Sequence, residues 1–136
     1  MDVVHSEKLR IDSEGDIVSV RKAVRGAAAA LGFGVTDVTR IVTASSELAR
    51  NLFHYAGSGA VYCRQLNDFF RKGIELVFVD QGPGIADVQQ AMEMGFTTRG
   101  GLGLGLPGAK RLMDEMDIQS QVGKGTTVTV RKWKKP

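Results

Sequence analysis

Two glycine clusters that follow an aspartate at the end of an apolar run constrain this chain most. The run Leu76–Val79 is typical of a buried strand, and it stops at Asp80. Gly82-Pro83-Gly84 breaks the chain immediately afterwards, and a second glycine cluster occupies residues 100–108. Because glycine lacks a Cβ and reaches positive φ, it lets backbone N–H groups approach an anion closely. The stretch therefore predicts a pocket in which Asp80 accepts a hydrogen bond from a flat polar group and the second cluster meets an anion.

The glycines could also form simple turns, and three common glycine motifs do not account for them. Residues 103–108 satisfy G-x-G-x-x-G, but no strand directly precedes them, as a dinucleotide-binding fold requires. The G-K-[ST] of a Walker loop is absent, and no H-R-D or D-F-G of a protein-kinase catalytic domain follows. All three common glycine motifs can therefore be set aside.

Length and charge place the chain among ordinary globular proteins. The length of 136 residues predicts a single domain over residues 1–136. The sequence shows neither a signal peptide nor an apolar run near membrane-spanning length, so we expect the protein to lie in the cytoplasm. The single cysteine, Cys63, excludes an internal disulfide and is expected to pack as a small apolar residue. Much of the net charge of +3 comes from residues 131–135, which we interpret as a solvated tail. Nucleic-acid binding is a weaker alternative, because aromatic residues do not interleave with the basic ones.

The spacing of apolar residues predicts alternating helices and strands. Residues 95–105 carry no apolar period and predict a mobile flap. The predicted elements are an edge strand over Val3–Ile11, a helix from Ser13 to Leu31, a helix from Thr36 or Asp37 to Tyr55, a hairpin of Ala60–Leu66 with Ile74–Asp80, a short helix over Ala86–Met94, a helix over Leu106–Met116, and a hairpin of Ile118–Val122 with Thr126–Trp133.

The second predicted helix carries two side chains suited to phosphate chemistry. Glu47 and Asn51 are four residues apart and therefore lie on one face, one turn from each other. An Asn carbonyl oxygen suits Mg²⁺, which prefers oxygen ligands and keeps waters and phosphates as its other partners. A nearby Glu can act on a reacting hydroxyl. Taken alone, the pair is a weak signal and is more typical of a solvated helix face.

Four motifs occur in a single order: Glu47-x-x-x-Asn51, Asp80-x-Gly82-x-Gly84, Gly101-x-Gly103-x-Gly105 and Gly125-Thr126. This order resembles the nucleotide-binding domain that gyrase, Hsp90, histidine kinases and MutL share, and it extends over nearly the whole chain. Within that superfamily, residues 46–51 and 101–114 are similar to the small bacterial anti-sigma-type serine kinases, including the switch-protein kinases of stressosome modules. The resemblance implies the Bergerat ATP-binding fold: an α/β two-layer sandwich whose mixed, mostly antiparallel sheet is covered by helices on one face.

The resemblance also implies roles for individual residues. ATP would lie between the helices and a flexible lid at about residues 95–105. Asp80 would hold the adenine amino group, with Thr126 supporting it through water. Asn51 would ligate Mg²⁺, and Glu47 would act as the general base. Gly82 and Gly84 would make room for the nucleotide. Its phosphates would be wrapped by Gly101, Gly103 and Gly105, and Arg99 in the lid would reach the terminal phosphate.

The implied activity is ATP-dependent phosphorylation of a serine on a STAS-domain antagonist of the RsbS or RsbR type. Phosphorylation would release the kinase to activate a downstream effector, such as a regulator of a serine phosphatase. The alternative is a nucleotide-gated, anti-sigma-type regulator that binds partners with little catalysis. A module without catalysis would not need a carboxylate at Glu47, but the presence of that carboxylate does not prove turnover.

Overall fold

Five strands and three helices make up the described part of the chain. The computed structural model describes residues 1–88, 92 and 105–135. The elements are β1 (Asp2–Ile11), α1 (Glu14–Ala30), α2 (Val35–Ala56), β2 (Gly59–Asp68), β3 (Arg71–Asp80), α3 (Gly105–Leu112), β4 (Glu115–Gln121) and β5 (Gly125–Trp133). The predicted helix over residues 86–94 and most of the predicted flap lie outside the described residues.

The strands form one sheet in the order β1-β2-β3-β5-β4, with β3 at its centre. Every pairing among these strands is antiparallel. This confirms the mostly antiparallel sheet that the resemblance implies, and the described chain contains no parallel pair. The α/β sandwich is confirmed as well, because α1 and α2 pack on the sheet through a shared apolar core. None of the helices in this described part combines the length and hydrophobicity that crossing a bilayer requires.

The helix-facing side of the sheet is apolar over most of its length. In β3, Ile74, Leu76 and Phe78 alternate toward the core and are almost completely buried. Burial of such side chains contributes on the order of 1.5–3 kcal/mol each to folding. Cys63 packs in this core, as its sequence context predicts, and burial raises the pKa of its thiol to about 11, with the nearby Glu7 carboxylate adding to the rise.

The opposite side of the sheet carries a network of charged side chains. Glu75 accepts hydrogen bonds from Arg64 at 3.3 Å and from Arg131 at 2.7 Å, and Arg131 also donates to Glu115 at 3.1 Å. The Trp133 indole N–H donates to Glu115 at 2.6 Å. That hydrogen bond, followed by the hydrogen bond and the charge of Arg131, holds the pKa of Glu115 below its usual value.

The expectation of a solvated basic tail is therefore wrong for residues 131–133. They belong to β5, and Lys132 and Trp133 are buried. Lys132 Nζ donates to the carbonyl oxygen of Leu112 at 2.9 Å and lies 3.5 Å from Asp114 and 3.9 Å from Asp37. A cation at the last carbonyls of a helix stabilises its C-terminus, so Lys132 fixes the end of α3.

The helix predicted over residues 106–116 ends earlier than expected. In the structure α3 stops at Leu112, and Glu115 and Met116 pair with Arg131 and Val130 as the start of β4. The apolar spacing of Leu112, Met113 and Met116 fits a helix, but the backbone of residues 115–116 finds its hydrogen-bond partners in β5. This pairing sets the register of the β4–β5 hairpin. The register in turn determines which residues of β4 and β5 lie beside the end of β3.

Candidate nucleotide-binding site

The candidate site begins where the helix-facing side of the sheet changes from apolar to polar. Asp80 lies opposite Thr126 of β5, and Thr126 lies opposite Ser120 of β4. Side chains of opposite residues point to the same face, with Cβ atoms about 5 Å apart. Ser120, Thr126 and Asp80 therefore form one row across the sheet, which we call the polar row.

The loop that follows β3 holds the carboxylate of Asp80. The Gly82 N–H donates to Asp80 Oδ1 at 2.8 Å. Any Cβ on Gly82 would lie 2.7 Å from the Cβ of Ala56, which belongs to the last turn of α2. Because Gly82 has no side chain, the half-buried Asp80 can lie beside the end of α2 with one of its two oxygens already bonded.

In the structure Gly84 packs against β4, whereas the resemblance implies that it makes room for the nucleotide. It adopts φ +78°, and an added Cβ would lie 2.3 Å from the carbonyl oxygen of Gln121 in β4. The neighbouring Pro83 carbonyl accepts a hydrogen bond from the Gly123 N–H at 2.9 Å. The absence of a side chain at Gly84 thus lets the loop pack against the β4–β5 hairpin, and its contact with a nucleotide stays a prediction.

Ser120 joins that loop to the polar row. The Ile85 N–H donates to Ser120 Oγ at 2.7 Å, while the Gly125 carbonyl oxygen and the Thr126 hydroxyl lie 3.1 Å and 2.8 Å from the same atom. A serine hydroxyl has one hydrogen to donate. If that hydrogen goes to Gly125, Thr126 donates to Ser120; if it goes to Thr126, the Thr126 hydrogen is available to another acceptor.

Ser120 was not among the site residues predicted from the sequence. A serine in a short alternating strand gives no signal of its own. The available signal was its register, because the turn at residues 122–124 places Ser120 opposite Thr126.

Gly125 supports Asp80 through the backbone. Its φ is +103°, and an added Cβ would lie 2.1 Å from the Asp80 carbonyl oxygen. By contrast, Gly123 has a similar φ of +81° but nothing within 4 Å of an added Cβ. The two glycines of the same turn therefore have different functions: Gly123 permits the turn, and Gly125 also permits the close contact between β5 and β3.

Glu47 and Asn51 lie one turn apart on α2, as predicted, and both are half-buried. The Glu47 side chain is 17% exposed, so it does not belong to a fully solvated helix face. Arg50, which is 48% exposed, donates to Glu47 Oε1 at 2.9 Å. Glu47 is therefore a paired carboxylate at the side of the helix.

Asn51 faces the first residue of α3. An added Cβ on Gly105, which has φ +32°, would lie 3.6 Å from the Asn51 side-chain nitrogen. Along α2, Ala56 beside Asp80 is five positions after Asn51, a helix rise of about 8 Å. The structure therefore brings Asp80, Gly82 and Thr126 together at one end of α2 and places Asn51 next to Gly105. The remaining predicted site residues, Arg99, Gly101 and Gly103, lie outside the described residues.

The chemistry of these groups fits a nucleotide with a hard cation. Asn51 offers an amide oxygen, and the first N–H groups of the eight-residue α3, which have no partner within their own helix, suit a phosphate. Within the described residues no three His, Cys, Asp or Glu side chains form a metal cluster. Mg²⁺ does not require such a cluster, because it is commonly bound through one or two protein oxygens together with waters and substrate phosphates.

Comparison with known proteins agrees with this geometry. Residues 12–132 match the histidine kinase-like ATPase domain. The chain therefore belongs to the family of histidine kinase-like ATPase domains. The predicted resemblance to the superfamily of gyrase, Hsp90, histidine kinases and MutL is confirmed at this level.

Two relatives place the chain more finely. It is 51% identical over 125 residues to the serine/threonine-protein kinase RsbT of Bacillus subtilis, which covers 92% of this chain and 94% of that protein. It is 32% identical over 117 residues to an anti-sigma F factor of Caldanaerobacter subterraneus, which covers 83% of this chain and 82% of that protein. The predicted likeness to anti-sigma-type serine kinases is thus confirmed.

Solved structures share the fold. The RsbU and RsbW domains of a Mycobacterium tuberculosis protein align over 96% of this chain with a TM-score of 0.65 and 21% identity, and the chain spans about a third of that structure's chain (33%). A component of the SiaB–SiaC complex from Pseudomonas aeruginosa aligns over 96% of this chain and 90% of its own, with a TM-score of 0.57 and 14% identity. At these identities the likeness shows the fold alone.

Proposed function

We propose that this chain is an ATP-dependent protein-serine kinase whose substrate is a STAS-domain antagonist in a bacterial partner switch. After phosphorylation the kinase leaves the antagonist and activates a downstream effector, such as a regulator of a serine phosphatase. The observation that carries the proposal is the placement of α2. This helix carries Asn51 beside the start of α3. Its last turn, at Ala56, packs against Gly82 and therefore lies beside Asp80. The high identity to a relative named as a serine/threonine-protein kinase supports the same activity.

In this proposal the base of ATP is recognised at the polar row. Asp80 accepts a hydrogen bond from the adenine amino group with the oxygen that Gly82 does not occupy. Thr126 supports this contact through water, and Ser120 sets the direction of the Thr126 hydroxyl hydrogen. Guanine presents a carbonyl where adenine presents its amino group, so Asp80 discriminates against GTP.

The phosphates lie toward the start of α3. Asn51 would hold a Mg²⁺ ion through its amide oxygen, and the ion would supply positive charge beside the phosphates. Gly105, together with Arg99, Gly101 and Gly103, contacts the phosphates in this proposal, as the family resemblance implies. Glu47 accepts the proton of the attacking serine hydroxyl.

A second candidate function is favoured by the ion pair of Glu47. Arg50 donates a hydrogen bond to one oxygen of that carboxylate at 2.9 Å, so that oxygen is already engaged within the helix. A nucleotide-gated regulator that binds and releases partners with little catalysis would tolerate this pairing. A relative named as an anti-sigma F factor supports that alternative.

The test is transfer of radiolabel from the terminal phosphate of ATP to a purified STAS-domain protein encoded by the same organism. The kinase proposal expects labelled phosphoserine with ATP and Mg²⁺, much less with GTP, and none with Asn51→Ala. The absence of label with the wild-type protein, under conditions in which it binds both ATP and the STAS-domain protein, would exclude the kinase and favour the regulator.

A further inference from the structure

The turn between β2 and β3 exposes two adjacent phenylalanines. Phe69 is 98% exposed and Phe70 is 96% exposed, and their ring centroids lie 6.0 Å apart. Asp68 pairs with Arg71, so these two residues alone form the turn. We call Phe69 and Phe70 the hairpin tip. Large apolar side chains at a tip contribute nothing to the core of the fold.

The backbone makes the choice of phenylalanine more unusual. Phe69 has φ +45° and is the one non-glycine residue with positive φ in the described chain. A two-residue hairpin with this conformation at its first position favours glycine or asparagine there. Both the conformation and the exposure of the tip therefore disfavour phenylalanine, which points to a role outside the fold.

Exposed apolar residues are concentrated at this end of the sheet. Strand β1 begins beside the tip, because Asp2 pairs with Asn67. Five of the nine large hydrophobic side chains that are exposed in the described chain lie here, namely Met1, Val3, Val4, Phe69 and Phe70. Clusters of this kind on a folded surface mark interaction sites.

The charges around the tip are mainly positive. Arg71 and Lys72 follow the tip directly, and β5 ends beside them, because the Lys134 N–H donates to the Lys72 carbonyl at 2.8 Å. Lys72, Lys134 and Lys135 are exposed. Of the nearby carboxylates, Asp68 is already bonded to Arg71 at 3.2 Å. A partner whose rim is acidic complements this surface.

We propose that the hairpin tip is a docking element that inserts its two rings into an apolar, acid-rimmed pocket of the downstream effector. The identity of the partner rests on the proposed function. The tip and Asp80 are at opposite ends of the ten-residue strand β3, about 30 Å apart at the usual rise per residue. In the proposed function the antagonist presents its serine to Glu47 on α2, which packs on the face of the sheet and not at its hairpin tip, so the tip suits the partner that is not phosphorylated.

Two other occupants fit this surface less well. Two copies joined tip to tip would bring Arg71 and Lys72 of both chains together, and like charges repel. An anionic membrane would attract the exposed lysines without requiring a defined shape of the turn. The Asp68–Arg71 ion pair also fixes the turn, and a fixed shape favours a shaped pocket over a lipid surface.

The test compares wild type with the double variant Phe69→Asn/Phe70→Ser. Val35→Ser is the matched control, because Val35 is also exposed (85%) but lies at the start of α2. The probes are the purified phosphatase regulator and the purified STAS-domain protein of the same organism, and vesicles that contain phosphatidylglycerol. Binding is measured by calorimetry, sedimentation and vesicle flotation, and phosphorylation of the STAS-domain protein is measured in parallel.

We expect the regulator to bind the wild type and Val35→Ser equally and the double variant about tenfold or more weakly, as for aromatic anchors at an interface. Lys72→Glu, which keeps both rings, should also weaken this complex and reduce its dependence on salt. ATP binding and phosphorylation should be unchanged in the double variant, which should still fold.

Three results would overturn the proposal. The first is equal affinity of wild type and double variant for the regulator, including no binding by either. The second is a wild-type dimer that the double variant abolishes, and the third is vesicle binding that requires the rings. If binding to the regulator depends on the tip but the wild type transfers no phosphate, the kinase proposal fails and the docking proposal stands. If the wild type transfers phosphate but binding to the regulator does not depend on the tip, the docking proposal fails and the kinase proposal stands.

Discussion

The two ends of β3 show how one strand can meet opposite demands. At the Asp80 end, backbone and side chains approach so closely that Gly82, Gly84 and Gly125 have no room for a Cβ. At the Arg71 end Gly73 is crowded as well, but the turn beyond it extends Phe69 and Phe70 almost fully into solvent. Both ends of the strand are closely packed, but only the second carries large apolar side chains that the fold does not need. We infer that chemistry belongs to the first end and docking to the second.

The largest effect that separates the two ends is expected from Asn51→Ala. If the amide oxygen holds Mg²⁺, the variant should lose metal-dependent ATP binding and all detectable phosphorylation. Asn67→Ala, an exposed asparagine at the tip end of β2, is the control and should phosphorylate normally. Radiolabel transfer measures both variants, and normal transfer by Asn51→Ala would remove this residue from the site.

The next largest effect is on folding. Gly125→Ala combines a left-handed backbone with a Cβ only 2.1 Å from the Asp80 carbonyl oxygen. We expect it to lower the free energy of unfolding by about 2–5 kcal/mol, the sum of backbone strain and overpacking. Gly123→Ala shares the conformation but has open space, so it should cost about 1 kcal/mol. Equal losses in urea unfolding would show that the contact between β5 and Asp80 is not tight.

Asp80→Asn should weaken ATP binding without affecting the fold. The expected loss is about 1–3 kcal/mol, the usual value of a hydrogen bond that involves a charged group. Calorimetry with ATP and GTP should also show that the variant discriminates less between them. Asp68→Asn at the opposite end of the β2–β3 hairpin should bind ATP like the wild type. An Asp80→Asn variant with wild-type affinity would contradict the assignment of the adenine site.

Much of this arrangement could be predicted from the sequence. The apolar run before Asp80 and the glycines after it predict a strand end with a pocket, and the spacing of Glu47 and Asn51 predicts their common helix face. These features depend on neighbours in the chain, so local patterns reveal them.

Features that depend on pairing between distant segments could not be predicted. The start of β4 at Glu115 follows from hydrogen bonds to β5, although the apolar spacing there also fits a helix. Ser120 acquires its position only through register with Thr126. The predicted hairpin of Ala60–Leu66 with Ile74–Asp80 leaves residues 67–73 for its turn, but the turn is two residues long, because Phe69 adopts a conformation that its side chain disfavours.

The smallest effect is expected at the tip. Phe69→Asn relieves a left-handed phenylalanine and should raise the free energy of unfolding by up to about 1 kcal/mol. Thermal unfolding measures this change, and Val35→Ser is the control for removal of an exposed apolar side chain. A clear loss of stability in Phe69→Asn would mean that the rings serve the fold and would weaken the contrast between the two ends.

The central claim is that the site between α2 and the Asp80 end of the sheet performs phosphoryl transfer, and Glu47 tests it most directly. Glu47→Ala is expected to bind Mg-ATP and the STAS-domain antagonist but to transfer phosphate about 10²–10⁴ times more slowly, the usual contribution of a general base. Glu14→Ala, an exposed glutamate in the first turn of α1, is the control. Release of the antagonist and phosphoserine are measured together at saturating ATP. The kinase account predicts that Glu47→Ala retains the antagonist, whereas normal release without phosphoserine would contradict it.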